Sequence, residues 1–344
     1  MIQVVEDKKS WDAHISGFKN ADLYHTFDYH QAAKDDGKPI LIIYKQDDIC
    51  IGLPLLIRNI KETSLKDATS VYGYPGPLYK NVSDSFDGEK FKEELIGCFK
   101  DYNIISVFSR LSPFLPLQPK LLENIGVVER KGPVVIIDLT HPIDIQRQGF
   151  GKRLKGHLNK ARRSSHVKTA RSESEIQTFM DIYHENMDRV NAKTMYYFKD
   201  DYFKKLIDSN SFHTETLLAV HNESDEVMGG SMFFYKNSIV HYHLSGTRTK
   251  YLPLMPTKLL IDEMRIKATE KGLTHFNLGG GLSSADDSLL QFKSSFSKTM
   301  LDFYVWKLVV NPEAYHSLTE KFKLGNHDFF PLYRCNNQLV FSTK

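Results

Sequence analysis

Residues 227–245 read VMGGSMFFYKNSIVHYHLS, and residues 256–281 read PTKLLIDEMRIKATEKGLTHFNLGGG. The first stretch holds two runs rich in β-branched and aromatic residues, 227–235 and 238–245. With residues 216–221 they predict a hairpin and a third antiparallel strand. Residues 259–271 predict a helix that Gly272 stops, and 274–278 a strand running into Gly279-Gly280-Gly281. Strands, then a helix, then a strand is the order of an α/β unit with a mainly antiparallel sheet.

Working outward, the same order describes residues 40–108. Strand-like runs at 40–44 and 49–57 precede a strand that begins at Ser70 and ends in the rigid turn Gly73-Tyr74-Pro75-Gly76-Pro77. A helix over 86–100 and a strand over 103–108 follow. Short helices are expected over 10–18, with Ser10 as N-cap, and over 27–34. Residues 134–139 add one more strand. The two halves thus read as a degenerate repeat of one α/β unit. Between Asp144 and Glu173 there is no acidic residue but there are nine Lys or Arg, and Phe150, Leu154, Leu158 and Ala161 line one face of a basic helix over 147–163. Ser172 and Glu175 have capping-box spacing for a helix over 172–189.

The bulk numbers fit two domains, since 344 residues is about twice a typical domain. A net charge of +3 is too small to argue for nucleic acid by itself, and no DNA partner is expected. Cys50, Cys98 and Cys335 are odd in number and far apart, which supports neither a disulfide framework nor a zinc site. A cytoplasmic setting follows, because no signal-like start and no apolar run near ~18 residues is present. Peripheral contact at the inner face of the membrane stays open.

Several residues are candidates for chemistry. The helix after the loop 246–256 presents unpaired N–H groups at its start, where Arg248, Lys250 and Lys258 would reinforce anion binding. Ordinary solvated charges are the alternative. Gly279 and Gly280 let a ligand or a neighbouring backbone approach closely. Phe292 and Phe296 share a face beside Lys293, which is either a surface lysine or a partly desolvated one able to hold an oxyanion. His241 and His243 lie on one strand face, but no carboxylate or third histidine is near, so no metal is assigned. His243 is a candidate base. Gly229-Gly230-Ser231 reads as a bulge within a strand.

These segments resemble the Fem-like peptidyltransferases, which belong with the GNAT-like acyltransferases and include enzymes that add amino acids to peptidoglycan precursors. The resemblance rests on VMGGSMFF from Val227, Tyr242-His243-Leu244-Ser245-Gly246-Thr247, Leu278-Gly279-Gly280-Gly281 and LQFKSSFS from Leu290. It extends to Asn159-Lys160-Ala161-Arg162-Arg163, Met187-Asp188-Arg189 and FDYHQAAK from Phe27 to Lys34. The resemblance implies two tandem GNAT-like domains, here 1–145 and 146–344, with mixed, mainly antiparallel sheets flanked by helices. It further implies that Lys34 and Arg189 contact an acidic or phosphorylated acceptor, with Tyr242 nearby, and that Phe292 and Lys293 lie at the transfer site. The family's long helical-hairpin arm has no counterpart, and Tyr29 stands where an aromatic, often Trp, precedes the lysine.

The expected activity is N-acyl transfer from acyl-coenzyme A to a small-molecule or lipid-linked amine of a cell-envelope precursor, with no permanently bound cofactor. The arm's absence puts aminoacyl-tRNA second as donor, which would make tRNA a partner. A non-catalytic module for a nucleotide-sugar or an anionic lipid headgroup is the alternative from another class. Attack is direct, with Lys293 stabilising the oxyanion or leaving group and His243, Asp286, Asp287 or water as base. Gln146-Arg147-Gln148-Gly149-Phe150-Gly151 matches the Q/R-x-x-G-x-G signature that holds coenzyme A pyrophosphate. It lies within the basic helix, however, and is read as coincidence.

Overall fold

The computed structural model describes residues 1–83, 86–281, 287–320 and 329–335. Its elements begin with β1 (Ile2–Val5), α1 (Lys8–Ile15), α2 (Phe27–Ala32), β2 (Lys38–Gln46), β3 (Ile49–Asn59), β4 (Lys66–Thr69) and β5 (Leu78–Lys80). They continue with α3 (Glu89–Asp101), β6 (Ile104–Arg110), α4 (Leu117–Leu122), β7 (Val127–Asp138), α5 (Ile143–Gln148), α6 (Lys152–Ser164) and β8 (Ser165–Thr169). Next come α7 (Glu173–Arg189), α8 (Asp200–Ile207), β9 (His213–His221), β10 (Val227–Lys236), β11 (Ile239–Thr247), α9 (Pro256–Glu270) and β12 (His275–Gly279). The last are α10 (Ser288–Ser294), β13 (Met300–Val309) and α11 (Pro312–Glu320). None of the described helices is long and apolar enough to cross a membrane.

The chain divides into two compact units, Met1–Lys131 with Asp302–Lys344, and Gly132–Leu301. In the first unit the strand order is β1-β2-β3-β4-β6-β13. Period-two alternation in β2 sends Ile40, Ile42 and Tyr44 against Phe91, Leu95 and Phe99, which α3 presents four residues apart. Leu41 and Ile43 face Trp11 and Ile15 of α1 instead. Burying each such side chain stabilises by roughly 1.5–3 kcal/mol. β13 pairs antiparallel with β6, Val305 facing Arg110, and Trp306 enters this core while its Nε1 donates to the Ile125 carbonyl. The division read from the sequence placed all of 146–344 in the second domain. Here the chain leaves the first unit within β7 and re-enters it within β13, because Trp306 and Leu308 bury in the first unit's core.

In the second unit the order is β7-β12-β11-β10-β9-β8, antiparallel apart from β11 beside β12. Leu260, Ile261, Met264 and Ala268 of α9 pack with Phe233, Val240 and Phe276 on one face, together with Leu154 and Leu158 of α6. On α7 the predicted capping box is present, the Ser172 hydroxyl accepting from the Glu175 N–H. Two glycines let α7 sit close to the sheet. A Cβ on Gly246 would lie 2.5 Å from the Ile182 carbonyl oxygen, and one on Gly230 would lie 2.6 Å from the Phe179 ring.

The mixed α/β class and the order of strands, helix and strand in both halves are as the sequence reading expected, and the structure adds that the last strand of each runs parallel to its neighbour. Some elements differ. The first helix starts at Lys8, because Asp7 rather than Ser10 supplies the cap and accepts from the Ser10 N–H. The basic helix is two helices, broken around Gly149-Phe150-Gly151, with Gly151 extended ahead of α6. No strand begins at Ser70, since β4 ends at Thr69. The bulge expected at Gly229-Gly230-Ser231 falls at Met228, where the β10/β9 register slips.

Candidate functional site

The repeat differs between the units at its parallel strand pair. In the second unit Ile239 faces His275, Val240 faces Phe276 and His241 faces Asn277, and the parallel ladder ends there. β11 runs on beside β10 to Thr247, while β12 stays paired with β7 alone, Gly279 facing Val135. At the same level the β10/β11 ladder skips His243, since Met232 faces Leu244 and Phe233 faces Tyr242. A bulge re-aims its strand, so the β11 edge beyond His241 has backbone groups with no partner on β12. This gap opens at the C-terminal ends of two parallel strands, where α/β sheets take their ligands. In the first unit β4 and β6 stay paired to Thr69 and Phe108, and the Ser70 N–H still donates to the Phe108 carbonyl at 2.8 Å.

Lys293 lies near the end of β12. It is buried on α10, and its Nζ donates to the Gly280 carbonyl at 2.6 Å. Burial lowers its pKa to about 8, the nearby Asp287 acting in the opposite direction. The sequence alternative of a surface lysine therefore does not hold. Phe292 packs partly into the core, edge-on to Phe296 at 5.9 Å. Gly279 takes a positive φ of 77°. A Cβ on Gly280 would lie 2.8 Å from the Pro133 carbonyl oxygen, so this glycine admits neighbouring backbone. Asp287 caps α10, accepting from the Leu290 N–H at 2.9 Å. Asp286 lies outside the described residues.

His243, at the bulge, sits against the Phe234 ring at 4.5 Å, and its Nε2 is 2.8 Å from the Tyr202 hydroxyl. Burial and the neighbouring His241 lower its pKa to about 3, so the ring is neutral near pH 7. Tyr242 points to the opposite face from His243, where its hydroxyl pairs with the Ser245 hydroxyl, and burial raises its pKa to about 12. The buried His241 Nδ1 lies 3.4 Å from Asn277 Nδ2. Among the described residues no group of three or more His, Cys, Asp or Glu could hold a metal.

The loop ahead of α9 binds its own carboxylates. Arg248 reaches Glu185 at 3.4 Å, and Glu185 also accepts from the Thr249 N–H at 2.8 Å. Lys250 pairs with Glu226 at 2.6 Å. Lys258, in the first turn of α9, donates to His157 Nδ1 at 2.9 Å and lies 5.8 Å from the Phe292 ring. Burial, then Arg153, lowers its pKa. The structure thus brings Lys258, Phe292, Lys293 and Gly280 toward one end of the sheet, and ties Arg248 and Lys250 into ion pairs.

Arg189 ends α7 exposed, bonded to Asn186. Lys34 belongs to the first unit, just past α2, and is half-buried. The 146–151 motif is packing. Gln146 bonds the His141 carbonyl and Thr269, and Arg147 bonds Asp262 and Asn159. Asp262, fully buried, takes Arg147, Arg162 and Arg265 at 3.3, 2.8 and 2.8 Å, clamping α5 and α6 to α9. Tyr202, His157, Asn277 and Glu185 were missed by sequence reasoning. The pairing of Tyr202 with His243 spans 41 residues and has no local signature.

Residues 148–293 match the family model described as Acetyltransferase (GNAT) domain. No curated protein sequence matches the chain. Among solved structures the chain is similar to FemX at 13% identity and a TM-score of 0.70, covering 94% of this chain and 100% of that one. It is also similar to a tandem GNAT protein from the clavulanic acid biosynthesis pathway, at 7% identity, TM-score 0.52, and 91% and 99% coverage. A third is the C-terminal domain of a chain named as a lysylphosphatidylglycerol synthetase from Agrobacterium fabrum, at 12% identity, TM-score 0.56, and 92% and 96% coverage. With a GNAT domain over residues 148–293 and these two repeated α/β units, the chain has the Fem-like, GNAT-like acyltransferase fold.

Proposed function

We propose that the protein is an N-acyltransferase that moves an acyl group from an activated donor to an amine of a cell-envelope precursor, an amino sugar or a peptidoglycan precursor. The observation that carries this reading is the gap between β11 and β12, with Lys293 buried beside its rim. The β11 edge beyond His241, where the ladder to β12 has ended, suits the acyl oxygen, and a developing oxyanion there gains from the low-dielectric Lys293 ammonium. The acceptor nitrogen forms its bond to the acyl carbon, the bond to the leaving thiolate or alkoxide breaks, and the amine proton passes to water or His243. With a pKa of about 3, His243 suits orientation of the amine better than proton storage.

Acyl-coenzyme A is the first donor. Aminoacyl-tRNA is a second reading, favoured by the loop cations Arg248 and Lys250 being committed to Glu185 and Glu226 rather than open to a pyrophosphate. The exposed Lys152 and Arg153 of α6 give it further support. Calorimetric titration with acetyl-coenzyme A, at low and moderate salt, tests the first donor. Saturable micromolar binding supports it. Absence of binding, with steeply salt-dependent binding of aminoacyl-tRNA, moves the donor to tRNA. Binding of a nucleotide-sugar or lipid headgroup with no transfer from either donor would sink the enzyme reading.

A further inference from the structure

The first unit holds a guanidinium in place and leaves it without a carboxylate. Arg110 ends β6, and its Cζ lies 5.0 Å from the Tyr72 ring centroid and 6.0 Å from that of Phe108. Its side chain makes no ion pair or hydrogen bond among the described residues. Other arginines of this unit differ. Arg58 and Arg334 both bind Asp67, and Arg130 binds Asp302.

The loop that carries Tyr72 is built rigidly. The Tyr29 hydroxyl donates to the Tyr72 carbonyl at 2.8 Å. The Pro75 carbonyl accepts from buried His25 Nε2 at 2.7 Å and from buried Gln118 Nε2 at 3.0 Å, and Pro77 accepts from the same amide at 2.9 Å. Gly73, at φ 135°, lies over the Tyr24 ring, where a Cβ would come within 2.2 Å. Three buried side chains, Tyr29, His25 and Gln118, thus fix a loop that is itself mostly buried, and Tyr72 stays 48% exposed on it. Loops held this firmly on a scaffold are where binding groups concentrate. A guanidinium lying on aromatic faces is weakly hydrated and has its plane fixed, while its edge N–H groups remain available for a two-oxygen partner.

We propose that Arg110, held beside the Tyr72 and Phe108 rings, is an anion-binding site of the first unit that takes a phosphate or carboxylate group of a ligand. The site stands apart from the transfer reading and is tested by binding alone, without any acyl donor. The full chain is titrated with inorganic pyrophosphate and, separately, with glutarate, following arginine Nε–H signals in 1H–15N spectra. The Arg110 signal, assigned by its loss in Arg110→Gln, shifts saturably, and Arg110→Gln weakens binding at least tenfold. Arg130→Gln, which alters a paired surface arginine of the same unit, leaves it unchanged. Saturation by pyrophosphate alone marks a phosphate ligand, and by glutarate alone a carboxylate. If Arg110→Gln fails to fold, Tyr72→Leu, which removes only the neighbouring ring, weakens binding at least threefold. No saturable shift with either anion, or equal losses in Arg110→Gln and Arg130→Gln, would overturn the proposal.

Discussion

Replacing Lys293 with Met keeps the length and apolar stem of the side chain and removes its charge. The ammonium sits at 8% exposure, and burial brings its pKa from 10.5 to about 8. That interval corresponds to roughly 3 kcal/mol of cost to the folded state. Below about pH 8 both folded and unfolded chains carry the proton, and folding bears the whole cost. Between 8 and 10.5 the unfolded chain keeps the proton that the folded chain releases, so stability rises with pH. Wild type should therefore gain roughly 3 kcal/mol relative to Lys293→Met between pH 7 and 10.5, most of it above pH 8. Urea unfolding followed by far-UV circular dichroism measures this. Tryptophan fluorescence does not, because Trp11 and Trp306 both lie in the first unit. A stability difference that stays flat from pH 7 to 10.5 would refute the buried, titrating ammonium.

Three further outcomes are expected. Asp262→Ala leaves Arg147, Arg162 and Arg265 facing one another without the carboxylate they share, only Arg162 keeping another in Glu263, and should destabilise the second unit by about 3–5 kcal/mol, read by chemical denaturation. Gly246→Ala sets a Cβ against the Ile182 carbonyl and should cost about 1–3 kcal/mol, whereas Gly97→Ala in α3, with nothing within 4 Å, should stabilise by roughly 0.5–1 kcal/mol. Melting curves of the two variants should therefore move in opposite directions. Tyr202→Phe removes the hydroxyl that orients His243 and should lower kcat about tenfold with donor Kd unchanged; an unaltered kcat would remove His243 and Tyr202 from the reaction.

What the sequence disclosed was local. The hairpin of β9 and β10, the stop at Gly272 and the Ser172–Glu175 capping box depend on neighbours in the chain and could be read directly. Phe292 and Lys293 were legible as a pair, but the depth of Lys293 was not, because the Gly280 carbonyl that it bonds lies 13 residues earlier across residues of no clear pattern. The gap at the proposed transfer site depends on where two ladders stop pairing, and no composition signal marks His243 as the residue left between them. Arg147 and Arg162 looked like part of a free basic face. Their carboxylate, Asp262, lies 115 and 100 residues away, and turns both into clamps. β13 closes the first unit's sheet from far along the chain, so a division by sequence order could not assign it.

The most direct measurement is acyl transfer itself. The full chain and Lys293→Met would be incubated with labelled acetyl-coenzyme A or aminoacyl-tRNA and a panel of amino sugars and peptidoglycan precursors. Wild type should move label from one donor class to an acceptor amine. Lys293→Met should lose at least a hundredfold in rate while donor binding is retained, as expected for loss of an oxyanion contact worth about 2.7–4 kcal/mol. Transfer by Lys293→Met at the wild-type rate, or no transfer by wild type from either donor, would contradict the account.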